Sequence, residues 1–262
     1  MKRWHFFEFE DQSWFPSHLR DLVTELLQYD LTTGEVYKQV VPELKKVMQT
    51  INCNHIIDLC SGGGGALLQI QEALAQQGYP VSITLTDKYP NLDAFQRIRQ
   101  LSNNKIDFRA EPVDATDIPF YLKGIRTLFT AFNNFKPEGA KKILQDAVAK
   151  NAGIGIFEFT EKKLTNVITQ LFVPIMVLFQ TPFVRPFKWS RLFWTYVIPI
   201  LPFIYFWDGL VSNLRTYSPE QLHQLISEIN SENYHWEIKQ LPSTFGSSIT
   251  VLIGYPTENP SS

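Results

Sequence analysis

The chain has 262 residues, of which 44% are hydrophobic and 19% charged, so it can bury a substantial core and does not have the composition of a disordered protein. Its 24 lysines and arginines are balanced by 26 aspartates and glutamates, with no long run of either sign, which argues against a nucleic-acid-binding surface. The two cysteines, Cys53 and Cys60, are too few for a disulfide framework and match no zinc-binding spacing, so we expect a cytoplasmic protein without a metal site.

Extended and helical patterns alternate along most of the chain. The N-terminus turns acidic before a long apolar run develops, which is not typical of a secretory signal. Apolar residues at helical spacing predict two helices ahead of the first strand, over residues 17–27 and 36–47. Short apolar runs predict five strands, over residues 55–60, 81–86, 107–112, 126–131 and 154–159. Helical segments between them (66–77, 94–101 and 137–150) indicate right-handed βαβ units and a parallel sheet.

The C-terminal part predicts a helix and then a hairpin. Ser218, Pro219 and Glu220 form a good helix start, with a capping side chain, a proline in the first turn and a carboxylate near the positive end. Two strands, over residues 234–240 and 248–255, follow that helix. A closing hairpin differs from the usual dinucleotide-binding layout, which continues with parallel strands.

A glycine-rich turn follows the first predicted strand. Residues 58–65 read Asp-Leu-Cys-Ser-Gly-Gly-Gly-Gly and lead directly into a helix. Glycines at this place let the backbone approach a ligand closely, and a helix N-terminus presents unpaired N–H groups. A tight turn alone would also explain the glycines, so the site needs further partners.

Three carboxylates supply such partners in chain order. Asp58 precedes the glycines, where it would meet an ammonium group. Asp87 ends the second strand, where an acidic side chain can accept both ribose hydroxyls. Asp114 follows the third strand and can accept an adenine amino hydrogen, while Ala115 can offer its backbone N–H to the ring. Together they predict a site for a nucleoside amino acid.

The segment 58–64 resembles the first motif of the class I S-adenosylmethionine-dependent methyltransferases, and Asp87 and Asp114 match that family's acids after strands two and three. The resemblance extends over residues 51–255. It implies a Rossmann-like α/β fold: a seven-stranded, mostly parallel sheet with a C-terminal antiparallel hairpin and helices on both faces. Cys60 departs from the pattern, because the family often has glycine there. Residues 9–16 and 207–217 also resemble a bacterial subgroup of these enzymes that acts on small molecules.

The same resemblance implies S-adenosylmethionine as cofactor, S-adenosylhomocysteine as product and no metal. The residues expected to bind the cofactor are Asp58, Cys60, Ser61, Gly62, Gly64, Asp87, Lys88, Asp114 and Ala115. We expect one methyltransferase domain over residues 1–262. It comprises an N-terminal helical lid (1–50), a cofactor-binding half (51–165), an apolar insertion (166–216), and the last helix with the terminal hairpin (217–262).

Methyl transfer from a sulfonium mainly requires alignment and exclusion of water, and it requires a base only where the acceptor must lose a proton. After the fourth strand, Asn133 and Asn134 stand where related enzymes often carry histidines. Amides orient an acceptor but take no proton, which favours a thiol, a carboxylate or an unprotonated amine as acceptor. Alternatively, one asparagine only caps the turn. Glu158 is a candidate base or acceptor-binding group, with an ion pair to a lysine or arginine as the alternative.

Several further residues are candidates for the acceptor side of the site. Trp14 and Phe15 are predicted to pack over the cofactor mouth as part of the lid, or else to anchor the core. Asp208, Arg215 and Tyr217 are predicted to border the acceptor pocket, with a stabilising ion pair as the alternative for Arg215.

The segment 167–211 is strongly apolar and interrupted by prolines. Its uncharged stretch, 192–207, would span only about 24 Å as a helix, short of the ~30 Å hydrocarbon core of a bilayer. Three interpretations remain open: a hydrophobic cap that forms the acceptor pocket between strands five and six, a membrane-interface or partner-binding surface, and additional core. The first two favour a lipophilic acceptor or setting.

The sequence therefore predicts methyl transfer from S-adenosylmethionine to a small, lipophilic acceptor, in the cytoplasm and with peripheral membrane contact if residues 167–211 touch a bilayer. A nicotinamide-dependent oxidoreductase is one alternative, which Asp58 and the terminal hairpin disfavour. A non-catalytic cofactor-binding or adaptor protein on the same fold is the other, and Asn133 and Asn134 keep it open.

Overall fold

The computed structural model describes residues 3–159, 170–243 and 248–257. Its strands are β1 His55–Asp58, β2 Ser82–Leu85, β3 Ile106–Phe108, β4 Ile125–Phe129, β5 Ile154–Glu158, β6 Tyr234–Pro242 and β7 Ser248–Pro256. Within the described residues they form one seven-stranded sheet in the order β3-β2-β1-β4-β5-β7-β6. Neighbours among β1 to β5 are parallel, and β7 runs antiparallel to both β5 and β6. The predicted sheet with its C-terminal antiparallel hairpin is confirmed.

Helices cover both faces of this sheet. They are α1 Ser17–Thr33, α2 Val41–Thr50, α3 Gly65–Gln76, α4 Leu92–Leu101, α5 Pro137–Ala149, α6 Val173–Gln180, α7 Trp189–Leu192, α8 Ile200–Arg215 and α9 Pro219–Ser227. Successive strand residues point to opposite faces, so Ile56 packs with α2, α3 and α4, whereas its neighbour Ile57 packs with α5 and α9. The sheet is thus the middle layer of three. Because the helices cover its faces, the strand ends are the part of the sheet where a site can form.

The N-terminal helix and the apolar segment build a third core beside the sheet. Leu22 and Leu26 of α1 pack against Val177 of α6 and Leu201 of α8, and all four side chains are buried. The apolar segment therefore forms a helical layer that rests on α1. Residues 166–169 of the predicted insertion lie outside the described residues.

Three predicted elements differ from the structure by more than two residues at one or both ends. A helix over 36–47 is wrong: a 3₁₀ turn precedes α2, because Pro42 lacks an N–H and fits only the first turn of a helix. The third strand ends at Phe108 rather than at residue 112, because β3 pairs only with β2, whose pairing stops at Leu85. Helix α1 extends six residues beyond its predicted end and stops at Gly34.

Within the described ranges, no single helix is long and apolar enough to cross a bilayer. The segments Trp189–Val197 and Ile200–Arg215 reach the required length and apolarity only as a pair, and they meet at an angle of 83°.

Candidate functional site

The glycine turn joins β1 to α3 beside the point where the strand order reverses. Strand β1 lies between β2 and β4, and the loops that follow β1 and β4 at this point leave a crevice in folds of this kind. Cys60, Gly62 and Gly64 adopt left-handed backbone angles, with φ of 56°, 54° and 69°. Left-handed backbone angles favour glycine, which accounts for Gly62 and Gly64 and makes a cysteine at position 60 unusual.

Helix α1 covers the glycine turn directly. A Cβ atom on Gly63 would lie 1.4 Å from Nε2 of Gln28, so only glycine allows this approach. The Gln28 Nε2 atom is buried and has no hydrogen-bond partner among the described residues. A buried donor without an acceptor is costly, which makes it a candidate ligand-binding group. The sequence pattern did not identify Gln28, because no local signal links α1 to a turn more than thirty residues away.

Replacement of Gly64 provides a test of this packing. We expect Gly64→Ala to lower the free energy of unfolding by about 2–4 kcal/mol, because the new Cβ meets Leu85 Cδ1 at 2.8 Å in addition to the strain of a left-handed φ. Gly78→Ala is the matched control, since Gly78 has φ of 74° and open space around its Cβ, and should cost only about 1–2 kcal/mol. Chemical denaturation of both variants gives the comparison; equal losses would contradict a tight turn.

Asp58 lies at the end of β1 with its side chain almost fully buried. One carboxylate oxygen accepts a hydrogen bond of 2.6 Å from the Thr127 hydroxyl on β4. Burial raises the pKa of Asp58 to about 7, and the hydrogen bonds from Thr127 and Ser61 offset only part of that rise. A buried carboxylate without a cation gains most from a ligand that carries a positive charge.

Asp87 connects the second strand to the glycine turn. Its carboxylate accepts hydrogen bonds from the backbone N–H groups of Gly62, at 2.9 Å, and Tyr89, at 2.8 Å. The side chain is only partly buried. Each carboxylate oxygen has a second lone pair, so Asp87 can still accept hydroxyl donors.

Asp114 is held in the turn after β3. Its carboxylate accepts hydrogen bonds from the Thr116 hydroxyl, at 2.7 Å, and backbone N–H, at 2.9 Å, and Lys88 lies 3.1 Å away. The hydrogen bond from the Thr116 hydroxyl is the largest cause of the lowered pKa of Asp114. The Lys88 pair is exposed and therefore adds little energy. Ala115, next to it, is buried.

Hydrogen bonds join the loops that carry these carboxylates: the Gly62 N–H donates to the Asp87 carboxylate, at 2.9 Å, and the Val113 N–H donates to the Asp87 carbonyl, at 2.8 Å. Burial raises the pKa of the Cys60 thiol, and the negative charges of Asp87, Asp58 and Asp114 raise it further. Asp11, in the N-terminal segment, contributes as well. The structure therefore brings together the three carboxylates predicted from sequence, and the segment before α1 approaches them from outside.

A second buried carboxylate, Glu158, lies at the end of β5. It accepts hydrogen bonds of 2.8 Å from the Phe132 backbone N–H and from the Asn133 amide. Within the described residues these amides take the place of the lysine or arginine that we expected as the alternative partner. Burial raises the pKa of Glu158 to about 7, and the Asn133 and backbone hydrogen bonds act in the opposite direction.

Asn133 is fully buried, and its bond to Glu158 fixes the orientation of its amide. The other amide atom, Oδ1, has no hydrogen-bond partner among the described residues. Asn134 is only partly buried. Of the two predicted asparagines, Asn133 is therefore held by β5, and its free oxygen is the unpaired acceptor.

Tyr37, which the sequence did not identify, lies beside the ends of β4 and β5. Its hydroxyl bonds to the Thr130 hydroxyl, just after β4, and lies 3.5 Å from the Phe157 carbonyl of β5. Burial raises the pKa of Tyr37, and the charges of Glu158 and Asp58 raise it further. Thr130 has φ of 48°, a backbone angle uncommon for a β-branched residue.

Most residues predicted for the acceptor pocket fasten the N-terminal segment. Asp208 accepts hydrogen bonds from the backbone N–H groups of residues 9 and 10, at 2.8 and 3.3 Å. Arg215 pairs with Asp11 at 2.7 Å and with Glu8 at 3.2 Å. Phe15 is buried in the third core, whereas Trp14 is 65% exposed. The ion pair that we considered as the alternative for Arg215 is thus present.

Tyr217 and Arg3 hold the loop that carries Asn133. The Tyr217 hydroxyl donates to the Phe135 carbonyl at 2.7 Å. Arg3 stacks on the Tyr217 ring and donates to the carbonyls of Asn133 and Phe135, each at 2.7 Å. The N-terminal segment therefore reaches both α1 beside the glycine turn, through the bond from the Thr24 hydroxyl to Glu10, and the loop that carries Asn133.

A shallow groove of about 470 Å³ opens beside Lys88, the partner of Asp114. Its lining includes Arg20 and Asp21 of α1 and residues 88–93 after β2. No group of three or more histidine, cysteine, aspartate or glutamate side chains suited to a metal ion occurs in the part of the chain that the structure describes.

No protein-family model matches the sequence, and no curated protein matches it. Solved structures match the fold over most of the chain. One is an O-methyltransferase family protein from Burkholderia thailandensis, with a TM-score of 0.53, 12% identity and coverage of 90% of this chain and 60% of that protein. Another is NcsB1, an O-methyltransferase from neocarzinostatin biosynthesis, in complex with S-adenosylmethionine and 2-hydroxy-5-methyl naphthoic acid. It has a TM-score of 0.53, 12% identity and coverage of 89% of this chain and 56% of that protein.

A Rhodobacter sphaeroides protein provisionally described as a zinc-dependent alcohol dehydrogenase is also similar, with a TM-score of 0.52, 10% identity and coverage of 90% and 98%. At these identities the likeness establishes the fold alone. The chain spans little more than half the length of the two O-methyltransferases.

Proposed function

We propose that this chain, whose fold is that of the class I S-adenosylmethionine-dependent methyltransferases, binds S-adenosylmethionine and transfers its methyl group to a small lipophilic acceptor. The observation that carries the proposal is that Asp58, Asp87 and Asp114 follow three adjacent parallel strands and that hydrogen bonds through Asp87 join their loops beside the glycine turn. A bound dinucleotide would place no cation at Asp58 and so would not need a carboxylate there. The ammonium group of S-adenosylmethionine would need one.

The residues of the turn fit the amino-acid end of this cofactor. Asp58 is buried without a cation partner among the described residues, and Gln28 Nε2 is a buried donor without an acceptor. An α-amino group and an α-carboxylate would satisfy both. On the nucleoside side, Asp87 would accept ribose hydroxyls, and Asp114 with Ala115 would contact the adenine. Bound cofactor supplies an activated methyl group on its sulfonium.

On the acceptor side, Asn133 is the residue best placed to orient a nucleophile. Its unpaired Oδ1 can accept a hydrogen bond, and Glu158 keeps the amide from rotating because it holds Nδ2. Glu158 has a pKa of about 7, which suits a group that takes up a proton near neutral pH. Asn133 and Glu158 would therefore align the acceptor, and Glu158 would receive its proton where one has to leave.

Two observations favour a lipophilic acceptor. The helices that follow β5 are apolar and pack on α1, which covers the glycine turn. NcsB1 was crystallised with a naphthoic acid, an aromatic and largely apolar molecule. A pocket that is closed by an apolar layer excludes water from the sulfonium, which methyl transfer requires.

The function is tested with methyl-labelled cofactor. Enzyme, labelled S-adenosylmethionine and cell extract are incubated, and the labelled product is identified by mass spectrometry. We expect stoichiometric S-adenosylhomocysteine and one labelled small molecule. Cofactor binding without any turnover would instead favour a non-catalytic role on the same fold, and binding of NADH alone would favour an oxidoreductase.

With the acceptor identified, Asn134→Ala should lower turnover about tenfold or more while the affinity for cofactor changes less than about twofold, because residues after β4 face the acceptor rather than the nucleoside. Asn230→Ala, at an exposed position remote from the site, is the control and should change neither. Steady-state kinetics measures the turnover, and equilibrium dialysis measures the affinity for the cofactor. Equal losses of turnover and affinity would remove Asn134 from the acceptor site.

A further inference from the structure

The helical layer after β5 exposes an unusual amount of apolar surface. We define the apolar face as six of its large side chains, each at least 54% exposed: Phe172, Phe179, Phe183, Trp189, Val197 and Phe203. On the scale at which an aromatic side chain buries 150–250 Å², these six side chains together expose roughly 700 Å². A surface of this size and composition indicates a partner.

The layer is folded so that only one side is turned toward the protein. Val177 and Leu201 are fully buried against α1, while Phe179 and Phe203 on the same two helices are exposed. The Tyr196 hydroxyl bonds to the Leu178 carbonyl, which ties the segment after α7 to α6. The apolar face is therefore the outer side of an ordered layer that already has its own core.

The exposed charge of this layer is cationic. Between residues 171 and 207 the chain carries Arg185, Lys188 and Arg191 and no aspartate or glutamate, and Asp208, further along α8, is buried. Lys188, at 2.7 Å, and Arg191 both pair with Glu25 of α1, and Asp30 of α1 accepts hydrogen bonds from Gln180 and Tyr205. Arg185 is exposed beside the apolar face. An apolar surface with an exposed arginine at its edge complements an anionic bilayer, in which apolar side chains enter the interface and cations meet headgroups.

The same charges disfavour a second copy of this chain as the partner. A two-fold interface would bury the exposed Arg185 against the apolar outer surface of a second copy, where the layer's carboxylate, Asp208, is buried and cannot pair with it. Trp189, which is 77% exposed, is of the residue type enriched at membrane–water interfaces. The 83° corner between Trp189–Val197 and Ile200–Arg215 turns Val197 outward, 68% exposed, which suits a shallow insertion rather than a span.

We infer that the apolar face docks this protein onto the surface of an anionic lipid bilayer. The face lies flat in the interface, its aromatic side chains reach the boundary between headgroups and acyl chains, and Arg185 contacts anionic headgroups. Docking is a property of the outer side of the layer and does not depend on cofactor binding or on methyl transfer.

Vesicle co-sedimentation tests this inference with the full chain. Phosphatidylcholine vesicles with and without phosphatidylglycerol are mixed with wild type, with a Phe179→Ser/Trp189→Ser/Val197→Ser variant, and with Phe120→Ser. Phe120 is the matched control, because it is 76% exposed and lies outside the apolar face. Wild type and Phe120→Ser should pellet, and the triple variant should lose at least tenfold in partition coefficient. Arg185→Gln should lose about fivefold on the anionic vesicles only.

Thermal unfolding and cofactor affinity of the triple variant, both expected to match wild type, show that it is folded. The inference is overturned if wild type does not pellet with the phosphatidylglycerol-containing vesicles. It is also overturned if wild type and the triple variant pellet equally with them. A wild-type dimer by light scattering that the triple variant converts to monomer, without vesicle binding, also overturns it and assigns the apolar face to a second copy.

Discussion

Replacing Asp58 with asparagine is expected to weaken binding of S-adenosylmethionine about a hundredfold or more. The substitution keeps the shape of the side chain and its contact with Thr127 but removes the buried negative charge that would face the cofactor's ammonium group. Losing one partner of a buried charge pair costs about 2–5 kcal/mol, because the other charge is left unpaired. Equilibrium dialysis with labelled cofactor measures the change.

Asp107→Asn makes the same chemical change at an exposed position on β3 and serves as the control. It should leave the affinity within about twofold of wild type. The free energy of unfolding of Asp58→Asn should not fall at neutral pH, because the variant no longer buries an uncompensated charge. If Asp58→Asn binds the cofactor as wild type does, this carboxylate does not contact the amino group.

Without ligand, the protein is expected to lose thermal stability as the pH rises from about 6.5 to 8.5. Burial raises the pKa of Asp58 and Glu158 to about 7 and that of Glu10 to about 8, so the folded protein still binds protons that the unfolded chain has released. Because the unfolded state binds fewer protons in this window, the free energy of unfolding falls with pH.

Groups with other shifts do not change this sign. The lowered pKa of Asp114 leaves it ionised in both states throughout the window. The pKa of His5, lowered to about 4 mainly by burial, and the pKa of His55, also lowered mainly by burial, oppose the effect up to about pH 7.5, where the unfolded imidazoles still bind some protons. The three carboxyl groups outweigh them, because on folding they retain more protons than these two imidazoles lose.

Calorimetric scans at several pH values, with and without S-adenosylmethionine, test this prediction. Each kcal/mol corresponds to about 2–4 °C at this chain length. The cofactor should raise the melting temperature most near pH 7.5, because Asp58 is then largely ionised while the cofactor's α-amino group, with an ordinary pKa of about 8, still carries its proton. Asp58→Asn should show a shallower decline than wild type, and Asp107→Asn the wild-type slope. A rise in stability over this window would show that the buried carboxylates are already ionised.

The sequence predicted what depends on local pattern and on the rules of parallel sheets. The strand pattern predicts that Asp58, Asp87 and Asp114 each follow one of three successive strands. Because these strands are parallel, all three residues lie at the same edge of the sheet. The structure adds that both Asp58 and Asp87 make specific bonds there, to Thr127 and to the Gly62 backbone.

The remaining site residues depend on contacts between distant segments, for which a single sequence has no pattern. Gln28 reaches the glycine turn only because α1 continues to Thr33 and packs over α3. The Asn133–Glu158 pair joins a loop to a neighbouring strand end, so Glu158 looked like an unpartnered acid in sequence. Arg215 similarly seemed available for a substrate until the fold brought Asp11 to within 2.7 Å.

The central claim is that three carboxylates at adjacent strand ends bind a sulfonium nucleoside. Isothermal titration calorimetry of the folded chain with S-adenosylmethionine and, separately, with NADH tests it most directly. We predict a one-site isotherm for S-adenosylmethionine and no measurable heat for NADH. A flat titration with S-adenosylmethionine together with saturable binding of NADH would contradict the claim.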